Sequence, residues 1–330
     1  MMEKVRWGIL STAKIGTNRV IPAMQKGKYC EIIAIASRQL DKAQAAAREL
    51  GISKAYGTYD ELLNDPDVDA IYNPLPNHLH VPWTIKSMEA GKHVLCEKPI
   101  GLSSVEGQKI IDEAKKRPEL KVMEAFMYRH HPQWQKARQL IEEGKIGKLR
   151  MVQSVFSYFN VNADDIRNKA EMGGGGLMDI GCYNVSLSRF IYSSEPKRVC
   201  GIMEMDPQFK TDRLVSAIMD FGCGNAVFTC STQLSQYQRV NIFGTDGRVE
   251  LEYINPTDGP SKLWLQKGEE ITELPMPKCD HYEIQSDRFS LAIITDTEVF
   301  TPIEDAIANM KVLEAIVQSA INNTWVSLEG

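Results

Sequence analysis

Through its first 125 positions the chain alternates short apolar runs with amphipathic stretches of helical length. The runs at 5–10, 30–36, 68–72, 93–96 and 120–125 have the length and bounds of buried strands. Stretches reaching to about 26, then at 41–50, 79–90 and 103–116, read as helices. Strands alternating with helices require right-handed crossovers, so the pattern predicts a doubly wound parallel sheet. After a helix at about 132–144 the texture changes to strand-like runs at 149–159, 197–206, 212–222, 225–234, 238–244, 248–254 and 262–266. Phe221-Gly222-Cys223-Gly224-Asn225 and Thr245-Asp246-Gly247 are hairpin signals among them. Helices at about 177–192, 281–294 and 302–322 can cover only one face of such a mainly antiparallel sheet. The open face needs a partner, and a homodimer or homotetramer joined through it is expected. The expected architecture is α/β, with a parallel-sheet domain over 1–125 and an α+β domain with a large open-faced sheet over 126–330.

Composition narrows the function classes. A chain of 330 residues exceeds the size at which single cores divide, in keeping with two domains. A formal charge of −5 and a pI near 5.8 argue against nucleic acid or an acidic membrane surface as partner, since both favour a basic face. Seven cysteines are scattered with no C-x-x-C pair, which suits free thiols in a reducing compartment. The N-terminal residues carry no signal-peptide core, and no run approaches the roughly 20 apolar residues of a membrane span. A cytoplasmic location follows as an expectation.

The candidate chemistry sits at strand ends. Ser11-Thr12-Ala13-Lys14-Ile15-Gly16 follows the first strand and opens a helix, whose free N–H groups and positive dipole end suit a pyrophosphate. It departs from G-x-G-x-x-G by placing Ser11 and Ala13 in the two leading glycine positions, and a connection merely rich in small residues is the plain alternative. Pro22 should kink the helix or offset its first turns. Twenty to 22 residues past Gly16, where an acid would hold the ribose of NAD, stand Ala36, Ser37 and Arg38. Ser37 can donate a hydrogen bond and Arg38 can pair with a 2′-phosphate, so NADP(H) is expected rather than NAD. The loop after the next strand, with Pro74, Leu75, Asn77 and His80, would pass the nicotinamide half of the cofactor. Asn77 is alternatively a helix N-cap, and His80 a hydrogen-bonding residue at the helix start.

Glu97-Lys98-Pro99 closes a strand at the end where open α/β sheets bind ligands. Some 80 residues later an apolar helix opens behind four glycines, Gly173 to Gly176, carrying Asp179 and Tyr183 four apart on one face. The glycines permit close approach of chain and ligand, or form a flexible linker. Before them, the polar stretch 160–172 could be a mobile lid whose Arg167 reaches a phosphate or substrate oxygen, or lies in solvent. Oxidising a secondary alcohol requires the hydroxyl proton to leave as hydride goes to the nicotinamide, and Tyr183 as relay with Lys98 as stabiliser supplies that. The structural alternatives are an ion pair of Lys98 with Glu97 or Asp179, and a core role for Tyr183. The His130-His131 pair has no third ligand at metal spacing, and no metal is expected.

Together, the opening GILSTAKIG, the Ser37-Arg38 pair, the loop NPLPNHLH, Glu97-Lys98-Pro99 and the helix DIGCY resemble the Gfo/Idh/MocA oxidoreductases from about residue 5 to the C-terminus. The likeness is greatest to the branch of NADP-dependent D-xylose dehydrogenases, dihydrodiol dehydrogenases and sugar-ketone reductases. It implies a Rossmann domain, a sugar, cyclitol or dihydrodiol as substrate, and a homo-oligomer. It makes Lys98 the active-site lysine, Asp179 a substrate-hydroxyl or orienting carboxylate, and Tyr183 the proton donor or acceptor. It also implies a cis peptide before Pro99 and places Tyr128 and Arg129 near the cofactor, with interdomain packing the rival reading for that pair. A dinucleotide- or sugar-sensing regulatory protein on the same fold is the alternative, although a sensor has no need of a proton relay.

Overall fold

The computed structural model describes residues 4–256, 259 and 261–328. The chain forms two compact units, residues 1–127 with 280–307, and residues 128–279 with 308–330. The division expected at 125/126 does not anticipate the return of residues 280–307 to the first unit.

The first unit is built on six strands, β1 (Val5–Leu10), β2 (Cys30–Ala36), β3 (Lys54–Tyr56), β4 (Ala70–Asn73), β5 (His93–Cys96) and β6 (Val122–Glu124). They lie in the order β3-β2-β1-β4-β5-β6, and every neighbouring pair is parallel. The order reverses between β1 and β4, and a doubly wound sheet binds ligands outside the carboxyl ends of its strands at such a point. β3, three half-buried residues long, presents no apolar run, which is why the sequence pattern misses it.

The helix after β1 opens with a π-helical turn, Gly16–Val20, and continues as Ile21–Met24. Pro22 has no N–H and its ring would crowd a carbonyl of the preceding α-turn; the wider turn, with the Ile21 N–H donating to the Gly16 oxygen, accommodates it. Helix His281–Ile294, expected on the second sheet, packs instead in the first unit. Phe289 lies 5.6 Å from the fully buried Trp7 ring, and the Trp7 indole donates to Ser290 Oγ at 3.1 Å. Asp287 on the same helix accepts from the Lys28 and Tyr29 N–H groups, both at 2.9 Å. Periodicity marks an apolar face but not which of two cores it joins.

The second unit carries nine strands: β7 (Leu149–Phe159), β8 (Arg198–Met205), β9 (Asp212–Asp220), β10 (Asn225–Ser231), β11 (Gln233–Gly244), β12 (Arg248–Leu251), β13 (Lys262–Lys267), β14 (Glu270–Pro275) and β15 (Val326–Ser327). Their order is β14-β13-β12-β11-β7-β10-β9-β8-β15, antiparallel except for the β7–β10 pair. Both expected hairpins form, between β9 and β10 and between β11 and β12. β14 and β15 went unpredicted, since β14 is mostly exposed and β15 has two residues. Helices Cys182–Tyr192 and Ile303–Asn322 supply apolar cover on one side; Ile316, for example, closes against Gly201 of β8. The alternate positions include Ile202 at 70% and Ile218 at 43% exposure. No helix among the described residues is long and apolar enough to cross a membrane.

Candidate active site

In the first unit the expected residues gather at the carboxyl ends of β1, β2, β4 and β5. Ser11 adopts a left-handed φ of 78°, the conformation a leading glycine would supply, and its Oγ accepts from the Ala13 N–H at 3.2 Å. Thr12 and Ala13 are half-buried, Lys14 is exposed, and Ile15 packs partly against the core. A Cβ on Gly16 would meet only ordinary contacts, at 3.7 Å to Tyr72 and Pro74. The chain's own packing therefore does not demand a glycine there.

Ser37 is buried, with its Oγ accepting from the Gln39 N–H at 3.3 Å. Arg38 is exposed and its guanidinium adjoins the Tyr59 hydroxyl. Pro74 and Leu75 lie in the buried exit of β4, where Asn73 Oδ1 accepts from the Leu75 N–H at 3.3 Å. Asn77 opens a 3₁₀ turn rather than capping the α-helix: helix His80–Glu89 starts from Leu79 without a side-chain cap. His80 is buried, and its ring nitrogens lie 2.6 Å from the Pro99 and Leu75 carbonyl oxygens. Burial pushes its imidazole down to about 4. It thus joins the turn after β4 to the turn after β5, the structural role weighed for it. The peptide before Pro99 is cis, as the resemblance implies. Glu97 is buried and accepts from the Tyr72 hydroxyl at 2.7 Å, while the half-buried Lys98 follows immediately.

In the second unit, Asp179 lies on a second π-helical turn, Leu177–Gly181, and Tyr183 in the first turn of helix Cys182–Tyr192. Such turns concentrate at functional sites. The four glycines are a packed turn rather than a flexible linker. Gly173 and Gly175 take φ of 77° and 117°, and a Cβ on Gly174 would stand 2.5 Å from the Arg167 carbonyl oxygen. Asp212 of β9 holds the helix entry by accepting from the Leu177 N–H at 2.6 Å, and burial pushes its carboxyl up to about 6. Tyr183 is 3% exposed, its ring 5.8 Å from each of Tyr128 and Phe156. Arg129 is buried against Ser186, donating at 2.8 Å. Arg167 does not stand alone in solvent: its Nε pairs with Asp179 Oδ2 at 3.0 Å.

A model of the oxidoreductase family with an NAD-binding Rossmann fold matches residues 5–126, and one of the Gfo/Idh/MocA C-terminal domain matches 134–250. An uncharacterized oxidoreductase from Rhizobium meliloti is 42% identical over 98% of this chain and 99% of its own. The chain belongs to the Gfo/Idh/MocA oxidoreductase family. Another family member, a D-xylose 1-dehydrogenase (NADP(+)) from Haloferax volcanii, is 36% identical over 98% of this chain and 99% of its own. Among solved structures, the aldose-aldose oxidoreductase of Caulobacter crescentus, complexed with glycerol, superposes with a TM-score of 0.93 at 25% identity, covering 99% of this chain and all of that one. Family membership establishes an oxidoreductase.

Set within the family, the remaining residues take plain roles. His131 is the N-cap of helix Pro132–Glu142, accepting from the Gln133 N–H at 3.1 Å, and burial pushes its imidazole down to about 4. No metal-ligand cluster exists among the described residues. All seven cysteines are thiols, with burial pushing Cys30 up to about 12. Sequence reasoning missed four residues: Tyr59 beside Arg38, Tyr72 on Glu97, Tyr158 on Asp179, and Asp212 at the helix entry. Each is an unremarkable member of a strand or helix in the chain, and only its partner marks it.

Proposed function

We propose that this oxidoreductase uses NADP(H) to transfer hydride between the nicotinamide and a secondary alcohol, ketone or anomeric hydroxyl of a sugar, cyclitol or dihydrodiol. One observation carries the reading: a helix N-terminus with a left-handed Ser11, the exposed Arg38 and the half-buried Lys98 follow the carboxyl ends of β1, β2 and β5 in one parallel sheet. The residues fit the cofactor. The first-turn N–H groups after Ser11 would take the pyrophosphate, and Ser37 with Arg38 the 2′-phosphate. When bound, the nicotinamide supplies the hydride acceptor or donor. In this reading the Tyr183 phenol passes the hydroxyl proton, and the Lys98 amine steadies the oxygen as charge develops on it. Asp179 takes a neighbouring substrate hydroxyl. The relative's D-xylose and NADP support this choice of substrate class and cofactor.

The test is to mix the purified protein with NADP⁺ and a panel of aldoses, cyclitols and dihydrodiols and follow reduced-cofactor absorbance. Absence of turnover across the panel, and with NADPH and the matching ketones, would refute the reading. Replacing Arg38 with alanine is expected to weaken NADP⁺ binding about 10- to 100-fold, as loss of a charge-assisted phosphate contact does, while NAD⁺ binding changes little. Fluorescence titration of both cofactors checks this.

The open face of the second sheet, with Ile202 and Ile218 exposed, is read as the seat of a second copy. Sedimentation velocity is expected to show a dimer or tetramer, and Ile202→Glu a monomer. The thiols fit a reducing cytoplasm.

A further inference from the structure

Asp179 is held from two directions. The Tyr158 hydroxyl, one residue from the end of β7, donates to its Oδ2 at 2.6 Å, and Arg167 Nε reaches the same oxygen at 3.0 Å. Burial, reinforced by the Asp179 charge, raises the Tyr158 phenol, so this hydroxyl remains a donor rather than a base. Asp179 likewise heads the causes that keep the Arg167 guanidinium charged. Arg167 is itself tied down. Its carbonyl accepts from the Gly175 N–H at 2.8 Å, and Nη1 contacts Asp165 Oδ1 at 3.3 Å. The neighbouring Asn168 amide donates to the Asn162 carbonyl at 2.9 Å, closing the 160–172 segment on itself. One carboxylate oxygen thus meets a phenol from the sheet and a guanidinium from the polar segment, one turn before Tyr183.

We propose that Tyr158 and Arg167 are positioning residues for the reaction, acting through Asp179 to keep its carboxylate in a single orientation. The inference rests on the functional reading above, in which Asp179 takes a substrate hydroxyl. A carboxylate free to rotate would meet the sugar in several poses, and small misplacements of a reacting group cost rate steeply. The 160–172 segment is then a strap latched to the site by Arg167, and the guanidinium serves the carboxylate rather than a cofactor phosphate.

The test is a double-mutant cycle. Tyr158→Phe, which removes one oxygen and keeps the ring, and Arg167→Gln are each expected to lower kcat/KM about 10-fold or more. In an Asp179→Asn background both effects should shrink to within about 2-fold, because the group they act through is gone. Arg167→Lys should recover part of the loss. Full-sized effects in that background, or no recovery with Arg167→Lys, overturn the proposal. A wild type silent on every substrate refutes the functional reading instead, and hydrogen exchange then judges the latch alone. Faster exchange of 160–172 in Asp179→Asn supports the pairing, and unchanged exchange overturns it.

Discussion

Lys98→Ala or Tyr183→Phe is expected to lower turnover about 100-fold or more while leaving NADP⁺ affinity nearly unchanged. Positioned proton transfer contributes roughly 100- to 10,000-fold, and a cation beside the developing oxygen charge adds to it. The cofactor-facing groups proposed here, Ser11 to Gly16 and Ser37-Arg38, lie at the ends of β1 and β2, whereas Lys98 follows β5, so its removal leaves them in place. Tyr183→Phe keeps the ring that packs against Tyr128 and Phe156 and deletes a single oxygen, so stability should change by less than about 1 kcal/mol. Steady-state kinetics beside a cofactor titration separates the two quantities. Full turnover in either folded variant would remove that residue from the mechanism.

Gly175→Ala is expected to destabilise the protein by about 3 kcal/mol or more, an effect on folding rather than chemistry. Gly175 has φ of 117°, where side chains are strained, and an added Cβ would overlap Asp212 Oδ1. Asp212 cannot step aside cheaply, because its other oxygen accepts from the Leu177 N–H at 2.6 Å and so holds the entry of the helix bearing Asp179 and Tyr183. Gly91 supplies the control. It has φ of 74° with nothing within 4 Å of an added Cβ, so Gly91→Ala should cost only the backbone strain, about 1 kcal/mol. Chemical denaturation of both variants reads the difference. Equal losses would show that the contact with Asp212 yields without penalty.

Much of this architecture is readable before any coordinates, because it rests on local periodicity. The runs that form β1, β2 and β5 are mostly apolar, broken only by Arg6, Glu31 and the leading His93, as strands covered on both faces tend to be. Their alternation with helices leaves a parallel sheet as the outcome. Glu97-Lys98-Pro99 is legible for the same reason, since it closes such a run, and so is the helix of Asp179 and Tyr183 behind its glycines. Where the pattern fails, its period is absent or its partner distant. β3 has no fully buried residue, and β14 is mostly exposed. Helix His281–Ile294 is recognisable as a helix, yet its destination was misjudged, because an apolar face carries no address and Trp7 is nearly 300 positions away.

The chain by itself determined the kind of sheet, the strand ends where chemistry gathers, and the family. Only the tertiary structure decided what holds the acting groups. Tyr158 and Arg167 on Asp179, Tyr72 on Glu97, Tyr59 beside Arg38 and Asp212 beneath the glycines are contacts between residues remote in the chain or on different elements. The physical reason is one of range. Periodicity and turn chemistry act over a few residues and are written locally, whereas the partner of a buried polar group is set by which elements the packing brings together.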